Sequence, residues 1–141
     1  IFVNFDNVRE TMRLKVPFGI AQIGKAFRNE ITPGNFVFRS REFEQMELEY
    51  FVPQAKANEY FTEFVEASHQ WFLKLGMNPD HIRKLAYQPN ELAHYAAATT
   101  DLQYAFPIES GWAELMGIAN RTDYDLRQHG KFATSRVASG A

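Results

Sequence analysis

FRNEITPGNFVFRSREFEQMELEYF (residues 27–51) sets five glutamates and three arginines among six aromatic rings. Burying an unpaired charge is costly, so an aromatic-rich segment ordinarily excludes so many of them. Strand geometry resolves the conflict, because side chains along a strand alternate between two faces. Residues from about Gly24 read as a strand, TPGN (residues 32–35) as a turn with Pro33 presetting φ, and REFEQMELEYFV as a second strand that stops at Pro53. On the first strand Arg28 and Glu30 share a face, with Phe27 and Asn29 opposite. On the second, Phe43, Gln45, Glu47 and Glu49 share one face, and Glu44, Met46, Leu48 and Tyr50 the other. The latter set is largely apolar and suits packing against a helix layer. The former is polar beyond its aromatic start.

Two such antiparallel strands present Arg28, Glu30, Phe43, Gln45 and Glu47 to one cavity. A guanidinium holds a phosphate oxygen bidentately, a phenyl ring stacks on a purine, and carboxylates take an exocyclic amine or an ammonium. Arg39 and Arg41, in or beside the connecting loop, suit outer phosphates. A second reading fits the same residues, namely a twisted sheet whose solvated face carries cross-strand Arg–Glu pairs. Parity alone leaves both open.

Outward from this stretch, the 141 residues suffice for one domain with a real core, and 45% apolar with 23% charged residues is ordinary for a globular protein. A net charge of −2 advertises no global nucleic-acid affinity, so any such contact is a local patch. Cysteine is absent, which excludes disulfides and thiolate metal sites and agrees with a cytoplasmic setting. No apolar run reaches the ~18 residues of a membrane span, so no membrane contact is expected. The opening IFVNF reads as a strand, and NVRETMRLKVPFG as a short helix capped by Asn7 and stopped at Val16-Pro17. Residues 55–75 keep helical apolar spacing through Tyr60, Phe61, Phe64, Val65, Trp71, Phe72 and Leu75, with Gly76 closing the helix and Trp71-Phe72 in its core.

NPDHIRKL reads as a shorter helix capped by Asn78, and PNELAHYAAAT as a further helical turn. TDLQYAFPI and GWAELMGIA read as strands about a glycine turn, and NRTDYDLRQHG as a final helix. Thr99, Thr100 and Asp101 read as a turn. Arg9, Arg13 and Lys15 read as a solvated helix face, and His69, His81, His94 and His129 as isolated histidines rather than metal ligands. Asp123 and Asp125 suit helix caps, surface acids or a site-facing role. Elements that do not alternate regularly point to an α+β fold with a mainly antiparallel sheet.

FRNE, a loop and FRSREFEQMELEYF together resemble the second signature motif of class II aminoacyl-tRNA synthetases, in the form found in bacterial-type glycyl-tRNA synthetases. PFGIAQIGKAFRNEITPGNF, ELAHYAAATTDLQYAFP and GWAELMGIANRTDYDL extend the similarity to about Gln128. The resemblance implies a partial catalytic domain over residues 1–128, with residues 129–141 a frayed or appended tail. It also implies a longer parent carrying the first and third motifs and an anticodon-binding domain. The implied activity is ATP-dependent activation of glycine to glycyl-adenylate and transfer to tRNA(Gly), by a homodimer using ATP with Mg²⁺ and no resident metal or organic cofactor.

By motif position, Arg28 is the catalytic contact to the α-phosphate, and Glu30 sits by the adenine amine with Asn29 between them. Phe43 stacks on adenine, while Phe38, Arg39, Ser40, Arg41 and Glu42 line the triphosphate. Phe43, Glu44, Gln45, Met46 and Glu47 form the glycine-binding run, and Glu114 with Leu115 a further ATP contact. The alternatives are a related adenylating enzyme for another small amino acid, or a non-catalytic synthetase-like module that binds tRNA or a partner.

Overall fold

Residues 42–51 alternate as expected and form strand β2 (Glu42–Phe51), antiparallel to β1 (Phe18–Phe27). The computed structural model describes residues 1–34, 39–107 and 111–132. The chain divides into two compact units, Ile1–Phe51 and Val52–Ala141. In the first, the register pairs Ala26 with Phe43, Gly24 with Gln45 and Gln22 with Glu47 on one face. Lys25 pairs with Glu44, Ile23 with Met46 and Ala21 with Leu48 on the other.

Several expectations for this unit are corrected. β1 begins at Phe18, well before Gly24, and stops at Phe27, so Arg28 and Glu30 lie beyond its end rather than on it. The opening residues are helical: a 3₁₀ turn (Phe2–Asn4) runs into α1 (Phe5–Thr11), which places Asn4 rather than Asn7 at the N-cap. The physical reason is the aromatic cluster. Phe2 and Phe5, three residues apart, come onto one side of a helical turn. Phe5 packs 4.5 Å from the Phe51 ring and 5.7 Å from Phe18, and Phe2 meets Phe51 edge-on at 6.1 Å. The helix also ends at Thr11, short of Val16, with Arg13 taking a left-handed φ of 51°. Finally, the apolar face is open: Ile23 is 75% and Met46 66% exposed, and among the described residues of this unit no helix covers it.

In the second unit a 3₁₀ turn (Gln54–Lys56) leads into α2 (Ala57–Lys74). Gly76 closes it as its spacing predicts, with φ +93° and its N–H donating to Leu73 O at 3.0 Å. Strands β3 (Ile82–Ala86), β4 (Ala98–Ala105) and β5 (Trp112–Asn120) form an antiparallel sheet in that order, and α3 (Tyr124–Phe132) follows. Helix α2 lies on the face that carries Lys84, Leu102 and Asn120. Asn120 Nδ2 donates to Asn58 Oδ1 at 3.1 Å, Lys84 pairs with Glu66, and Leu102 is 0% exposed in a core with Val65 and Ile82. Trp71 is not core: it is 52% exposed and packs edge-on against Phe72 at 4.9 Å.

The helix expected from NPDHIRKL is a single 3₁₀ turn (Pro79–His81). Its cap is real, since Asn78 Oδ1 accepts from Asp80 N at 3.0 Å, but Ile82 then enters the ladder opposite Tyr104 and is buried. Residues 88–97 form turns rather than a helix, closed by Glu91 N to Gln88 O and Ala96 N to Ala93 O. Thr99, Thr100 and Asp101 are strand rather than turn, with Thr100 and Asp101 buried. Between Leu102 and Gln103 the β4–β5 register shifts: Gln103 faces Glu114 and Leu102 faces Met116, so Leu115 is an extra residue. The α+β class with antiparallel sheets is as expected, and among the described residues no helix is long and apolar enough to cross a membrane.

Candidate functional site

The Phe43 face of the hairpin carries the side chains that parity brought together. Helix α1 seats on Phe18 and Phe51 at one end of this face. At the other end the Arg28 guanidinium lies 5.2 Å from the Phe43 ring centroid, over the ring. Across from Phe43 and Gln45 stand only Ala26 and Gly24, and a Cβ on Gly24 would meet nothing within 4 Å. Among the described residues, the floor between Arg28 and Glu47 is thus made of small residues beside a cationic rim.

The segment after β1 is held by local bonds. Arg28 N donates to Arg41 O at 3.0 Å, Glu30 N to Arg28 O at 2.9 Å, and Arg41 Nε to Glu30 O at 2.9 Å. These bonds satisfy backbone that the ladder would otherwise pair, and they bring residues 28–30 beside 39–41. Arg39 approaches the Glu30 carboxylate at 3.9 Å, a loose pair between partly exposed groups. Ser40 Oγ donates to Glu42 O at 2.8 Å, and Glu42 pairs with Lys25. Asn29 is exposed beside them. Glu44 and Met46 point to the opposite face from Phe43, Gln45 and Glu47, so the run 43–47 offers a single cavity its odd-numbered members only. Phe38, with much of the connecting loop, lies outside the described residues.

In the second unit the face of the sheet turned away from α2 carries Arg83 and Tyr87 beside β4 residues Asp101 and Gln103, and Trp112, Glu114 and Gly117 on β5. Arg83 donates from Nε to Gln103 Oε1 at 2.9 Å and lies 4.5 Å over the Trp112 ring. Glu114 is exposed there, next to the extra residue Leu115, while Asp101 is 4% exposed and accepts from the Tyr87 hydroxyl at 2.6 Å. That bond, with burial and the charges of Asp101 and Glu114, pushes the Tyr87 pKa up to about 12. The hydroxyl is therefore a fixed donor at neutral pH. Sequence reasoning missed Tyr87 altogether; the only signal was the alternation that sets Asp101 on one face with Gln103.

The model of the tRNA synthetase class II core domain (G, H, P, S and T) matches residues 5–138. This chain belongs to the class II tRNA synthetase core family. Among curated relatives, the glycine--tRNA ligase of Geobacillus thermodenitrificans (strain NG80-2) is 60% identical over 129 residues, covering 92% of this chain and 27% of the relative. The namesake of Mycoplasmopsis synoviae (strain 53) is 53% identical over 137 residues, 97% of this chain and 30% of the relative. That of Corynebacterium efficiens is 57% identical over 130 residues, 92% and 28% respectively. The chain thus spans less than a third of the length of the relatives it matches.

Within this synthetase core, several acids and histidines already have structural partners. Asp125 takes Arg121 bidentately at 2.7 and 3.0 Å, with that guanidinium 4.0 Å over Tyr95. Asp123 pairs with Arg127 at 3.7 Å, and His94 shares a hydrogen bond with the Tyr124 hydroxyl at 3.1 Å. Among the described residues no group of three or more His, Cys, Asp or Glu is placed to hold a metal.

Proposed function

We propose that this synthetase core is part of a bacterial-type glycine–tRNA ligase, which activates glycine with ATP and passes it to tRNA(Gly). The observation that carries the reading is the Arg28 guanidinium over the Phe43 ring, above a floor kept open by Gly24 and Ala26. A nucleotide needs this combination: an aromatic surface for the base and a fixed cation for the phosphate. Family membership and relatives at 53–60% identity named glycine--tRNA ligase support the assignment.

In the first step a glycine carboxylate oxygen attacks the α-phosphorus, the α–β anhydride bond breaks, and pyrophosphate leaves. In the second the tRNA 3′-terminal hydroxyl attacks the glycyl carbonyl and AMP leaves. Neither step needs a protein nucleophile; positioning and charge neutralisation supply the acceleration. Arg28 neutralises charge growing on the α-phosphate. Phe43 stacks on adenine, Glu30 accepts from its exocyclic amine with Asn29 beside it, and Arg39, Arg41, Ser40, Glu42 and Phe38 flank the phosphates.

Gln45 and Glu47, on the same face as Phe43, take the glycine ammonium, and Glu44 and Met46 support the strand from behind. Glu114 and Leu115 contribute an ATP contact on the three-stranded sheet. Mg²⁺ enters with ATP as part of the substrate, and the hard carboxylate oxygens of Glu114 suit it. Glycine has no side chain to grip, so selection rests on excluding anything larger and fixing both charged ends. The working protein is read as a cytoplasmic homodimer. Pyrophosphate exchange by the full-length protein across a panel of amino acids tests this reading. Glycine should stand out, and preference for another amino acid would refute it.

A further inference from the structure

Arg83 stands on β3, at the edge of the three-stranded sheet, on the face turned away from α2. Two neighbours fix its guanidinium. Gln103, directly across the ladder, accepts from Nε through Oε1 at 2.9 Å, and Cζ lies 4.5 Å from the Trp112 ring centroid, over the ring. Trp112 is two strands away, and its partner on β4 is Ala105, whose methyl is too small to stand between them. A long side chain gives up rotamer freedom to lie this way. With Nε engaged, the two Nη groups form a fork, and among the described residues no carboxylate pairs with it. The acids of this face, Asp101 and Glu114, lie on β4 and β5, so the β3 edge is its cationic side. Leu85 and then Tyr87, just past the strand, follow Arg83 at alternate positions, both 36% exposed. From Arg83 to Tyr87 the edge is thus an exposed stripe about 13 Å long.

A guanidinium fork beside exposed rings suits single-stranded RNA, whose phosphates take the cation and whose bases take the flat surfaces. A net charge of −2 leaves such a contact to a local patch of this kind. We propose that Arg83, oriented by Gln103 and Trp112, holds a phosphate of the single-stranded 3′ end of tRNA, with Leu85 and Tyr87 under the adjoining bases. The proposal rests on the reading above, in which glycine is passed to that end. A stripe along an open edge fits an extended chain better than one compact nucleotide, which separates this contact from those assigned to ATP. Gln103 and Trp112 are positioning residues: they do not hold the phosphate but aim the fork that does.

The test measures binding of the full-length protein to two RNAs, intact tRNA(Gly) and the same tRNA trimmed of its single-stranded 3′ end. Arg83→Ala should weaken binding of the intact RNA roughly three- to tenfold. Its salt slope should fall by about 0.7, the value for one phosphate of a single strand. Binding of the trimmed RNA should not change. Arg83→Lys keeps the charge without the fork, so it should restore the slope and only part of the affinity. Gln103→Ala, which frees the fork but keeps its charge, should show a smaller loss, again on the intact RNA alone. Equal losses on both RNAs, or none on either, would overturn the proposal, as would full recovery in Arg83→Lys. Where Arg83→Ala lowers the melting temperature, Arg83→Lys and Gln103→Ala decide in its place. Glycine-dependent pyrophosphate exchange by the unmutated protein is measured alongside. Its absence refutes the functional reading and the proposal together, whereas its presence with no effect on the intact RNA refutes the proposal alone.

Discussion

Replacing Phe43 by alanine removes the ring under the Arg28 guanidinium. Stacking of a base on an aromatic side chain contributes about 1–3 kcal/mol. At ~1.4 kcal/mol per decade, loss of the ring should raise the ATP KM about 5- to 150-fold. The glycine KM should move little, because Gln45 and Glu47 stay on the same face with their β1 partners Gly24 and Gln22 intact. Stability should barely fall. Phe43 is only half-buried, and its contact to the exposed Arg28, 5.2 Å away, is of a kind that contributes ~0.5–1 kcal/mol. The assay is initial-rate pyrophosphate exchange with each substrate varied in turn, beside a thermal melt. Phe43→Leu, which keeps apolar area without a π face, should recover only part of the loss. An unchanged ATP KM in the alanine variant would refute the stacking role, as would equal use of GTP and ATP by the unmutated protein.

Other outcomes follow from the same geometry. Arg28→Ala should slow glycyl-adenylate formation by roughly 10²-fold in single-turnover measurements, since a charge-assisted contact that strengthens in the transition state is lost; an unchanged chemical step would remove Arg28 from that role. Leu102→Ala, at a position 0% exposed, should cost about 2–5 kcal/mol in denaturant unfolding, and a loss under 1 kcal/mol would mean the α2–sheet core collapses around the gap. Tyr87, raised to about 12, keeps its proton past the pH near 10 at which an unfolded tyrosine ionises. Its contribution to stability is therefore complete below pH ~10 and is lost as pH rises through about 12. Ultraviolet titration should find one tyrosine ionising late, and Asp101→Asn should return it to the ordinary range.

The hairpin was legible because β2 alternates over ten residues, long enough for period two to be unmistakable. Helix α2 was legible for the matching reason, with a glycine stop where positive φ is needed. Short segments misled. IFVNF alternates like a strand, yet Phe2 and Phe5 also meet on a helical turn, and the rings that decide between them, Phe18 and Phe51, lie far along the chain. Asn78-Pro79 is a true helix start, but nothing local says that Ile82 belongs opposite Tyr104. At the site, Arg28 and Phe43 were readable by parity even though Arg28 lies past the strand end. The Tyr87–Asp101 bond was not, because Tyr87 follows β3 and Asp101 sits in β4, and only the folded sheet makes them neighbours.

The extra residue in β5 bears on how the chain can tolerate changes in length. Counting by twos from Glu114 would put it on one side with Met116, yet they stand opposite Gln103 and Leu102, on different sides of the sheet. β5 is in effect two short strands out of phase by one step, joined at Leu115. Loss of Leu115 would close the gap, leave each half facing as before and straighten the bend that the extra residue imposes. Loss of one residue on either flank, at Ala113 or Ile118, would instead turn half the strand over and exchange core for solvent positions. Length polymorphism in this strand should therefore be confined to a single point, immediately beside Glu114.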